Sequence, residues 1–388
     1  MRASAASRRA RAHHPMLARG FSLLELMVAL VLGLIVTGAV ISTFVSVHSA
    51  SKDTTGIADL ADNGRIALDI LQQSLRSAGY MACNSTLRQV TTVAPNAGDP
   101  LESDLTEALA GYEASGSAPG NTLSLSENPQ GTSSLSDWDS TPELGGQLDP
   151  SAATDSSALP IKGSDVIAVH TLYSQVLPVY TTAQSGSDSV TVQSTSGFSA
   201  GQLGVVSNCA SSVVDPIDGV SGNTISFAQP LGQAFGAGAE VGVADTIVFY
   251  IGTGTDGDGA LYSYSLAGNS TFVNPPAEIA PDIENMQILY GVDTNGSLAA
   301  TEYVTADQLP TAVANNPDCP AIAGTAGVEF NCVVSVKIAL LAASPPGAMP
   351  MPTQARTYDL LGTQVTAPID TRMRQVFETT VTLRDTTD

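Results

Sequence analysis

The chain has 388 residues, and 43% of them are hydrophobic, which is enough for one sizeable core or two modest ones and argues against a disordered chain. Acidic residues outnumber basic residues by 37 to 15, for a formal net charge of -22. Five of the basic residues precede position 20, so the rest has too few to neutralise many phosphates, and this argues against direct nucleic-acid binding.

A basic segment comes first and an apolar segment follows it. Residues 1–20 contain five arginines and no acid, and residues 21–47 are mostly apolar. As an α-helix the apolar segment would be about 40 Å long, more than the roughly 30 Å of a bilayer's hydrocarbon core. The positive-inside rule keeps the arginines in the cytoplasm. The sequence therefore predicts a single-pass inner-membrane protein with its C-terminal body in the periplasm.

One acid, Glu25, lies near the start of the apolar segment. A carboxylate in a membrane-length helix costs several kcal/mol unless it is paired or lies at a protein–protein contact. Cleavage after Gly20 would free an amine on Phe21, one helical turn from Glu25 and within reach of a neighbour's Glu25 in a bundle of identical helices. Amine and carboxylate could then neutralise each other in apolar surroundings.

Gly20 followed by Phe21-Ser22-Leu23-Leu24-Glu25 resembles the prepilin signal of type IV pilins and type II secretion pseudopilins. The resemblance implies that prepilin peptidase cleaves after Gly20, that Phe21 is N-methylated, and that Glu25 guides subunit docking and register. A plain signal-anchor helix is one alternative. A secretory peptide cleaved near Val47-His48-Ser49 is another, but its apolar core would be about twice the usual 7–15 residues.

Helical spacing continues beyond the apolar segment. Apolar or small residues recur along one face, at Ile57, Leu60, Gly64, Leu68, Leu71, Leu75 and Ala78. The pattern predicts one long helix to about Ala78, with Gly79 as its stop and with an amphipathic second half suited to packing on a sheet. The segment 65–83 also resembles PilW-like minor pilins, in which the helix ends in a similar Arg-x-Ala-Gly-aromatic-x-x-Cys run.

The composition shifts after the helix. Residues 84–159 are rich in Ser, Gly, Pro, Asn and Asp, which is typical of surface loops with little regular structure. Strand patterns then recur between Gly, Asn and Asp turns, at 165–172, 189–192, 203–207, 224–227, 246–251, 261–266, 286–292, 332–341 and 376–383. These patterns predict an α+β, pilin-like fold in which a long N-terminal helix packs on an antiparallel sheet. The expected divisions are a leader (1–20), the helix (21–80), a loop region (81–160) and a β-rich periplasmic body (161–388).

The chain has four cysteines, Cys83, Cys209, Cys319 and Cys332, and none forms a CxxC pair. An even number in a periplasmic chain indicates two structural disulfides, and three connectivities are possible. A Cys319–Cys332 bond would close a short loop across a Pro/Asn/Gly-rich turn, worth about 3 kcal/mol in the chain-entropy estimate. That pairing would leave Cys83 with Cys209, unless some cysteines are free buried thiols.

Two patterns suggest other chemistry. Residues 197–201 spell the G-x-S-x-G of lipases and esterases, but a strand pattern follows instead of a helix, and no histidine comes after His170. Asp256 and Asp258 have a spacing that could begin a calcium loop but lack the twelfth-position glutamate of an EF-hand, and Asp-Gly pairs favour hairpin turns. We expect no enzyme activity and no cofactor, with Asp256 and Asp258 as weak calcium candidates.

Three further stretches, 200–209, 283–293 and 372–384, also resemble PilW-like minor pilins. The resemblance implies a minor pilin that primes or caps the type IV pilus. It also implies prepilin peptidase, other minor pilins, the major pilin and the inner-membrane assembly platform as partners. Two alternatives stay open: a minor pseudopilin of the type II secretion system and a pilus-tip adhesin. Motility, adhesion and DNA uptake all use such pili.

Overall fold

The structure, a computed structural model, describes most of the chain in segments. The described residues are 22–83, 90–92, 105, 107–127, 129–132, 137–139, 159–265, 276–295, 297, 299–314, 328–352 and 354–383. The chain divides into two compact units, Met1–Lys52 and Asp53–Asp388.

A long α-helix, α1 (Leu23–Arg76), spans the boundary between the two units in the sequence. It ends two residues before the predicted Ala78, and a turn leads to Gly79, whose φ is +77°. The Gly79 backbone N–H donates to the His170 carbonyl at 2.9 Å. A positive φ is costly for a residue with a Cβ, so glycine suits the point where the chain leaves the helix.

The described residues after α1 form strands and short helices. The strands are β1 (Val90–Thr92), β2 (Leu109–Ala114), β3 (Thr122–Ser124), β4 (Trp138–Asp139), β5 (Val166–Thr181), β6 (Ser189–Val192), β7 (Leu203–Ser207), β8 (Ser212–Ser221), β9 (Thr224–Phe227), β10 (Glu240–Thr253), β11 (Gly259–Ser265), β12 (Ala277–Pro281), β13 (Ile283–Val292), β14 (Glu302–Val304), β15 (Val333–Ala343), β16 (Thr357–Leu360), β17 (Thr363–Thr366) and β18 (Arg374–Thr382). A short helix α2 (Leu309–Ala312) and 3-10 turns at Ala306–Gln308 and Val328–Cys332 complete the described elements.

A four-stranded antiparallel sheet in the order β14-β13-β15-β18 supports the second half of α1. The helix buries one face here, with residues Leu60, Gly64, Ala67, Leu68, Leu71 and Leu75. Gly56 is also buried and lies beside the connection after β15, where a Cβ on Gly56 would be 2.7 Å from Ala348 Cβ. Gly64 permits a close approach, because a Cβ there would lie 2.5 Å from the Phe377 ring. About two turns later Gln72 donates through Nε2 to the Thr379 hydroxyl at 2.8 Å. The amphipathic half of the helix therefore packs on the sheet, as its spacing predicts.

The opposite face of this sheet carries a second, smaller sheet. Side chains alternate along β15, so that Ile338 and Leu340 belong to the core with α1, whereas Ala339 and Leu341 pack with Leu360 and other residues of the smaller sheet. That sheet has the order β16-β17-β3, and β3 runs parallel to β17 at its end.

The largest sheet has 11 strands and contains a closed section. Strands β5 and β10 pair with each other along most of their length. At one end they continue through β6, β9, β8 and β7, each paired antiparallel with the next, and β7 returns to β10. These six strands form a small barrel. At the other end β5 pairs with β2, and β10 pairs with β11, which gives an open sheet.

The barrel has an apolar core of its own. Its buried side chains include Phe198, Ile217, Phe227 and Phe235, which cluster with valines of the surrounding strands. Three of the barrel strands, β6, β7 and β9, have the bounds predicted from the sequence. Closure of the barrel was not predicted, because it depends on pairings between segments distant in the chain.

The expectation of loops with little regular structure over 84–159 needs correction where the structure describes this region. Strand β2 is buried at every residue and lies between β5 and β4 in the large sheet. Trp138 is also buried, and its indole N–H donates to the Ser164 carbonyl at 2.9 Å. The predicted fold class, a long N-terminal helix followed by a mostly antiparallel β body, is confirmed.

A buried carboxylate joins the large sheet to the four-stranded sheet. Asp165 lies just before β5, and its Oδ1 accepts from the Ala114 N–H in β2 at 2.9 Å. Its Oδ2 accepts from the Ile288 N–H in β13 at 2.8 Å. Both oxygens satisfy backbone donors that would otherwise be buried without partners, so Asp165 fixes the two sheets to each other.

Candidate functional site

The first turn of α1 contains a reciprocal pair of hydrogen-bonding residues. The Ser22 hydroxyl oxygen accepts from the Glu25 backbone N–H at 3.1 Å. In return, Glu25 Oε2 accepts from the Ser22 backbone N–H at 3.2 Å and from its hydroxyl at 3.3 Å. This arrangement is a capping box, which satisfies backbone donors that a helix leaves free at its N-terminus. Its S-x-x-E pattern, Ser22-Leu23-Leu24-Glu25, is present in the sequence and is the signal from which this cap could be predicted.

The predicted cleavage and methylation residues, Gly20 and Phe21, lie outside the described residues. Glu25 is described and exposed, three residues after the first described residue, Ser22. Cleavage after Gly20, methylation of Phe21 and the register role of Glu25 therefore stay predictions.

The first half of α1 exposes apolar side chains on all sides. Every residue from Leu23 to Val47 is exposed, and by length and composition this helix could cross a membrane. Two of its hydroxyls bond within the helix: Thr37 Oγ1 donates to the Gly33 carbonyl at 2.7 Å, and Thr43 Oγ1 donates to the Ala39 carbonyl at 2.9 Å. A helix that is apolar all round and satisfies its own polar groups suits a lipid environment or a bundle of similar helices.

A disulfide joins Cys83, just after α1, to Cys209, in the turn between β7 and β8 of the barrel. The two Cα atoms lie 4.5 Å apart, and 126 positions separate the residues in the sequence. This pairing agrees with the sequence-based prediction. Cys319 lies outside the described residues, so the predicted Cys319–Cys332 pairing is not tested by the structure.

The calcium candidates lie in the hairpin between β10 and β11. The Asp258 N–H donates to Asp256 Oδ1 at 3.0 Å, and Gly257 has φ +90°, which is the geometry of a tight turn. Carboxylate oxygens of Asp256, Asp258 and Asp282 all lie within 4.8 Å of one another. Arg372 already pairs with Asp258 at 2.8 Å and with Asp282. Calcium binding by Asp256 and Asp258 therefore stays a prediction.

Sequence reasoning did not find the wider charge network around these acids. Arg374 makes a bidentate contact with Glu284, at 2.6 and 2.9 Å, and also donates to Asp370 at 2.8 Å. Both arginine side chains are buried. Burial, together with Asp256, Asp258 and Glu284, raises the pKa of Asp282 to about 6, although Arg372 opposes the rise. No local sequence pattern could have revealed this network, because the fold assembles it from residues 256–284 and 370–374.

The residues considered for a hydrolase have ordinary structural contacts. The backbone N–H of Ser199 donates to Gln202 Oε1 at 2.7 Å within a turn. His170 is buried in β5, with its Nδ1 2.8 Å from the Glu107 carbonyl oxygen.

Two protein-family models match the chain. Residues 248–385 match the family described as Type IV Pilus-assembly protein W, or PilW, and residues 16–41 match the prokaryotic N-terminal methylation motif. The first match covers β11 to β18 and the end of β10, and the second covers the predicted cleavage site and the start of α1. The barrel strands lie before residue 248, where the PilW match begins, except for the end of β10.

No curated protein matches this chain. Among solved structures, one similar chain is the Gp54 tailspike of Acinetobacter baumannii bacteriophage AP22, in complex with A. baumannii capsular saccharide. The similarity has 15% identity and a TM-score of 0.17, and it covers 20% of this chain and 15% of the tailspike chain. A similarity this slight supports no conclusion about fold or ligand.

The two family matches agree with the structure at both ends of the chain. The methylation motif coincides with the exposed apolar first half of α1, in which Glu25, in the first turn, is the only acid. The PilW segment contains the whole four-stranded sheet on which the second half of that helix packs. The two matches support a type IV pilus-related minor pilin that is similar to PilW over residues 248–385 and carries an N-terminal methylation motif at residues 16–41.

Proposed function

We propose that this minor pilin takes part in type IV pilus assembly, as a member of the complex that primes or caps the pilus. In this proposal the chain enters the inner membrane as a prepilin, with its body in the periplasm. Prepilin peptidase cleaves it after Gly20, and the new N-terminus at Phe21 is methylated. The observation that carries the proposal is the exposed apolar half of α1, with Glu25 as its one acid, followed by a folded β body.

The mechanism rests on helix packing. The exposed apolar residues of Leu23–Val47 would pack against the helices of neighbouring pilins as the subunit leaves the bilayer. Glu25 would pair with the N-terminal amine of a neighbour, which favours one axial position over others because a carboxylate in apolar surroundings is costly without a partner. The β body would select the partner pilins.

The capping box is compatible with that pairing. Both contacts from Ser22 go to Glu25 Oε2, and a carboxylate can accept about four hydrogen bonds through its two oxygens. A neighbour's amine can therefore approach Oε1 without breaking the cap. The remaining partners of the proposal are other minor pilins, the major pilin and the inner-membrane assembly platform.

The proposal is tested by Glu25→Ala in a strain that lacks the wild-type chain. We expect cleavage to continue and incorporation into sheared pili to be lost, because the variant cannot pair with a neighbour's amine. Asp62→Ala is the matched control, since Asp62 lies on the exposed face of the second half of α1. Normal incorporation of Glu25→Ala would contradict the register mechanism.

The alternative roles need separate tests. A pseudopilin of the type II secretion system predicts that deletion of the chain abolishes protein secretion and leaves pili intact. A tip adhesin predicts loss of adhesion with intact pili when residues 141–158 are deleted. That deletion is narrower than one of the whole 84–159 segment, which would also remove the buried strand β2.

A further inference from the structure

A large cavity opens on the β body beside the smallest sheet. Its volume is about 810 Å³, and three kinds of surface line it: the stretch 123–127, apolar side chains that include Met351 and Ile369, and the charge network of Arg372 and Arg374. We call this cavity the β3 groove. Each surface matches a different requirement of one kind of ligand, an extended peptide.

The open edge of β3 borders the groove. The Leu125 N–H donates to the Thr366 carbonyl, and the Gln364 N–H donates to the Asn121 carbonyl. Because backbone directions alternate along a strand, Thr122 and Ser124 point their N–H groups away from β17, to the side where the described residues place no further strand. Five consecutive residues, 123–127, line the groove. One face of a strand would contribute only alternate residues, so the edge of this segment borders the groove.

The rim of the groove is apolar. Met351 is 65% exposed and Ile369 is 44% exposed, and both line the cavity. Few large apolar side chains of the described β body are so exposed, and the others lie on α1, just after it at Tyr80, or on the barrel at Tyr180. Two such residues in one groove favour a ligand that carries apolar side chains.

The floor of the groove has more negative than positive charge. Arg372 and Arg374 are both engaged by carboxylates: Asp258, Asp282 and Glu284 surround the first, and Glu284 and Asp370 hold the second. Asp256 and Asp282 belong to the same cluster but do not line the groove, whereas Lys162 lines it and pairs with Asp137 at 2.9 Å. Among the residues that line the groove, the acids Glu127, Asp258, Glu284 and Asp370 outnumber the bases Lys162, Arg372 and Arg374 by one. A lysine or arginine of a ligand would complement this excess of acids.

We propose that the β3 groove binds an extended segment of a partner protein, which adds a strand to the open edge of β3. Apolar side chains of the segment pack on Met351 and Ile369, and a basic side chain reaches the carboxylates of the floor. Strand addition supplies affinity through main-chain hydrogen bonds, while pockets for alternate side chains supply specificity. The proposal concerns recognition by the β body and does not depend on the pilus role.

The test uses the full-length chain in lipid nanodiscs and the fluorescein-labelled peptide acetyl-Val-Lys-Val-Thr-Val-Lys-Val-amide, with empty nanodiscs as the blank. Fluorescence anisotropy at physiological salt measures binding. Two further peptides carry backbone N-methyl groups, one on odd and one on even residues. Strand addition uses the amides of one peptide edge only, so we expect one methylated form to lose at least tenfold in affinity and the other to bind nearly as well as the parent.

This asymmetry separates strand addition from simple attraction between a cationic peptide and an acidic protein. The methylated peptide that loses its main-chain hydrogen bonds to β3 cannot regain them by shifting one residue along the strand. Such a shift would turn its lysines away from the floor of the groove. Equal affinity of the two methylated forms would overturn the proposal, and so would absence of binding by the parent peptide. Replacing both lysines by glutamate should weaken binding at least tenfold.

Variants of the protein locate the site. Ser124→Pro removes an outward N–H from β3, and Met351→Gln with Ile369→Asn makes the rim polar; each is expected to weaken binding at least fivefold. Tyr180→Gln, on an exposed barrel position, is the control and should have no effect. Circular dichroism and thermal melting check the folds. If Ser124→Pro does not fold, the rim variants decide, and unchanged binding by them would contradict the proposal.

Discussion

Ser22 and Glu25 satisfy each other at the start of α1: the serine hydroxyl accepts from the Glu25 backbone N–H at 3.1 Å, and Glu25 Oε2 accepts from the Ser22 backbone N–H at 3.2 Å. With the pairing proposed above, Glu25 would have two separable roles. Its carbonyl-type oxygen caps the helix, which glutamine can also do, whereas its charge would pair with a neighbour's amine, which glutamine cannot do.

Substitutions at these two positions separate the roles. We expect Glu25→Gln to keep the first turn helical and to block incorporation into pili as strongly as Glu25→Ala. Ser22→Ala should weaken the cap by about 1 kcal/mol and retain most incorporation, because it leaves the charge in place. Hydrogen exchange of the amides of residues 23–26 reports the cap, and quantification in sheared pili reports incorporation. Full incorporation of Glu25→Gln would show that the charge is not needed.

Gly64 and Phe377 provide a test of helix packing on the four-stranded sheet. Alanine is a better helix former than glycine by about 1 kcal/mol, so without the sheet Gly64→Ala would stabilise the helix. Its Cβ would instead meet the Phe377 ring at 2.5 Å. We expect a net destabilisation of about 1–3 kcal/mol, measured by chemical unfolding, and partial recovery in the double variant with Phe377→Leu. A more stable Gly64→Ala single variant would contradict the packing.

The Cys83–Cys209 disulfide closes a long loop between the end of α1 and the barrel. Replacing both residues by serine should lower the free energy of unfolding by about 2–4 kcal/mol, because the unfolded chain regains the freedom that the bond removes. In the presence of a reductant, the free energy of unfolding of the wild-type protein should fall by the same amount or more. Unchanged stability in both would mean that the bond contributes little to the fold.

Peptide mapping of the non-reduced protein tests both predicted bonds. We expect one linked pair that contains Cys83 and Cys209, and a second that contains Cys319 and Cys332. Linkage of Cys83 to either of the last two cysteines would contradict the pairing in the structure.

Asp165 makes stability depend on pH. Burial raises the pKa of Asp165 to about 7 from its ordinary value of 3.8, although hydrogen bonds from Ala114, Ile288 and Ser117 lower it, and Asp307 raises it slightly. Glu113 and Tyr290 also face this carboxyl group. Between about pH 4 and 7 the folded chain keeps a proton that the unfolded chain has lost, so this group's contribution to stability falls as the pH rises through that range.

Asp165→Asn removes this titration. We expect the variant to be less stable by about 1–3 kcal/mol at pH 5, since its amide group cannot accept from both backbone donors. The decrease of stability between pH 5 and 7.5 should be smaller than in the wild type. Thermal melting at both pH values measures the difference, with Asp62→Asn on the exposed helix face as the control. An equal decrease in the variant and the wild type would contradict the assignment.

Much of the fold could be predicted because its patterns are local. The apolar segment and the spacing of residues such as Leu60, Leu68 and Leu75 predicted α1 to within two residues of its observed end. Along β6 and β9, residues alternate between partly buried and buried, and every residue of β7 is buried. Each of these strands lies between clear turn residues, and its predicted bounds match the observed ones. Strand β2 was missed because Ala110, Gly111 and Glu113 have weak strand preferences; its position between β5 and β4 decides its conformation.

The candidate sites also differ in whether a local sequence pattern reveals them. Glu25 could be found from the sequence because a single acid in an apolar segment is a local anomaly with a physical cost. The β3 groove could not be found, because Ser124 lies in one sheet and Glu284 and Arg374, 90 positions apart in the sequence, lie in two strands of another. Barrel closure is equally non-local, since it requires β7 and β5 to flank the same end of β10.

The most direct test of the account is the intact mass and N-terminal residue of the chain recovered from the sheared pilus fraction. We expect a chain that begins at N-methylated Phe21, with cleavage after Gly20. A chain that begins at Met1, or after Ser49, would be a plain anchored protein or a secreted one. Either result would contradict prepilin processing and remove the proposed role of Glu25.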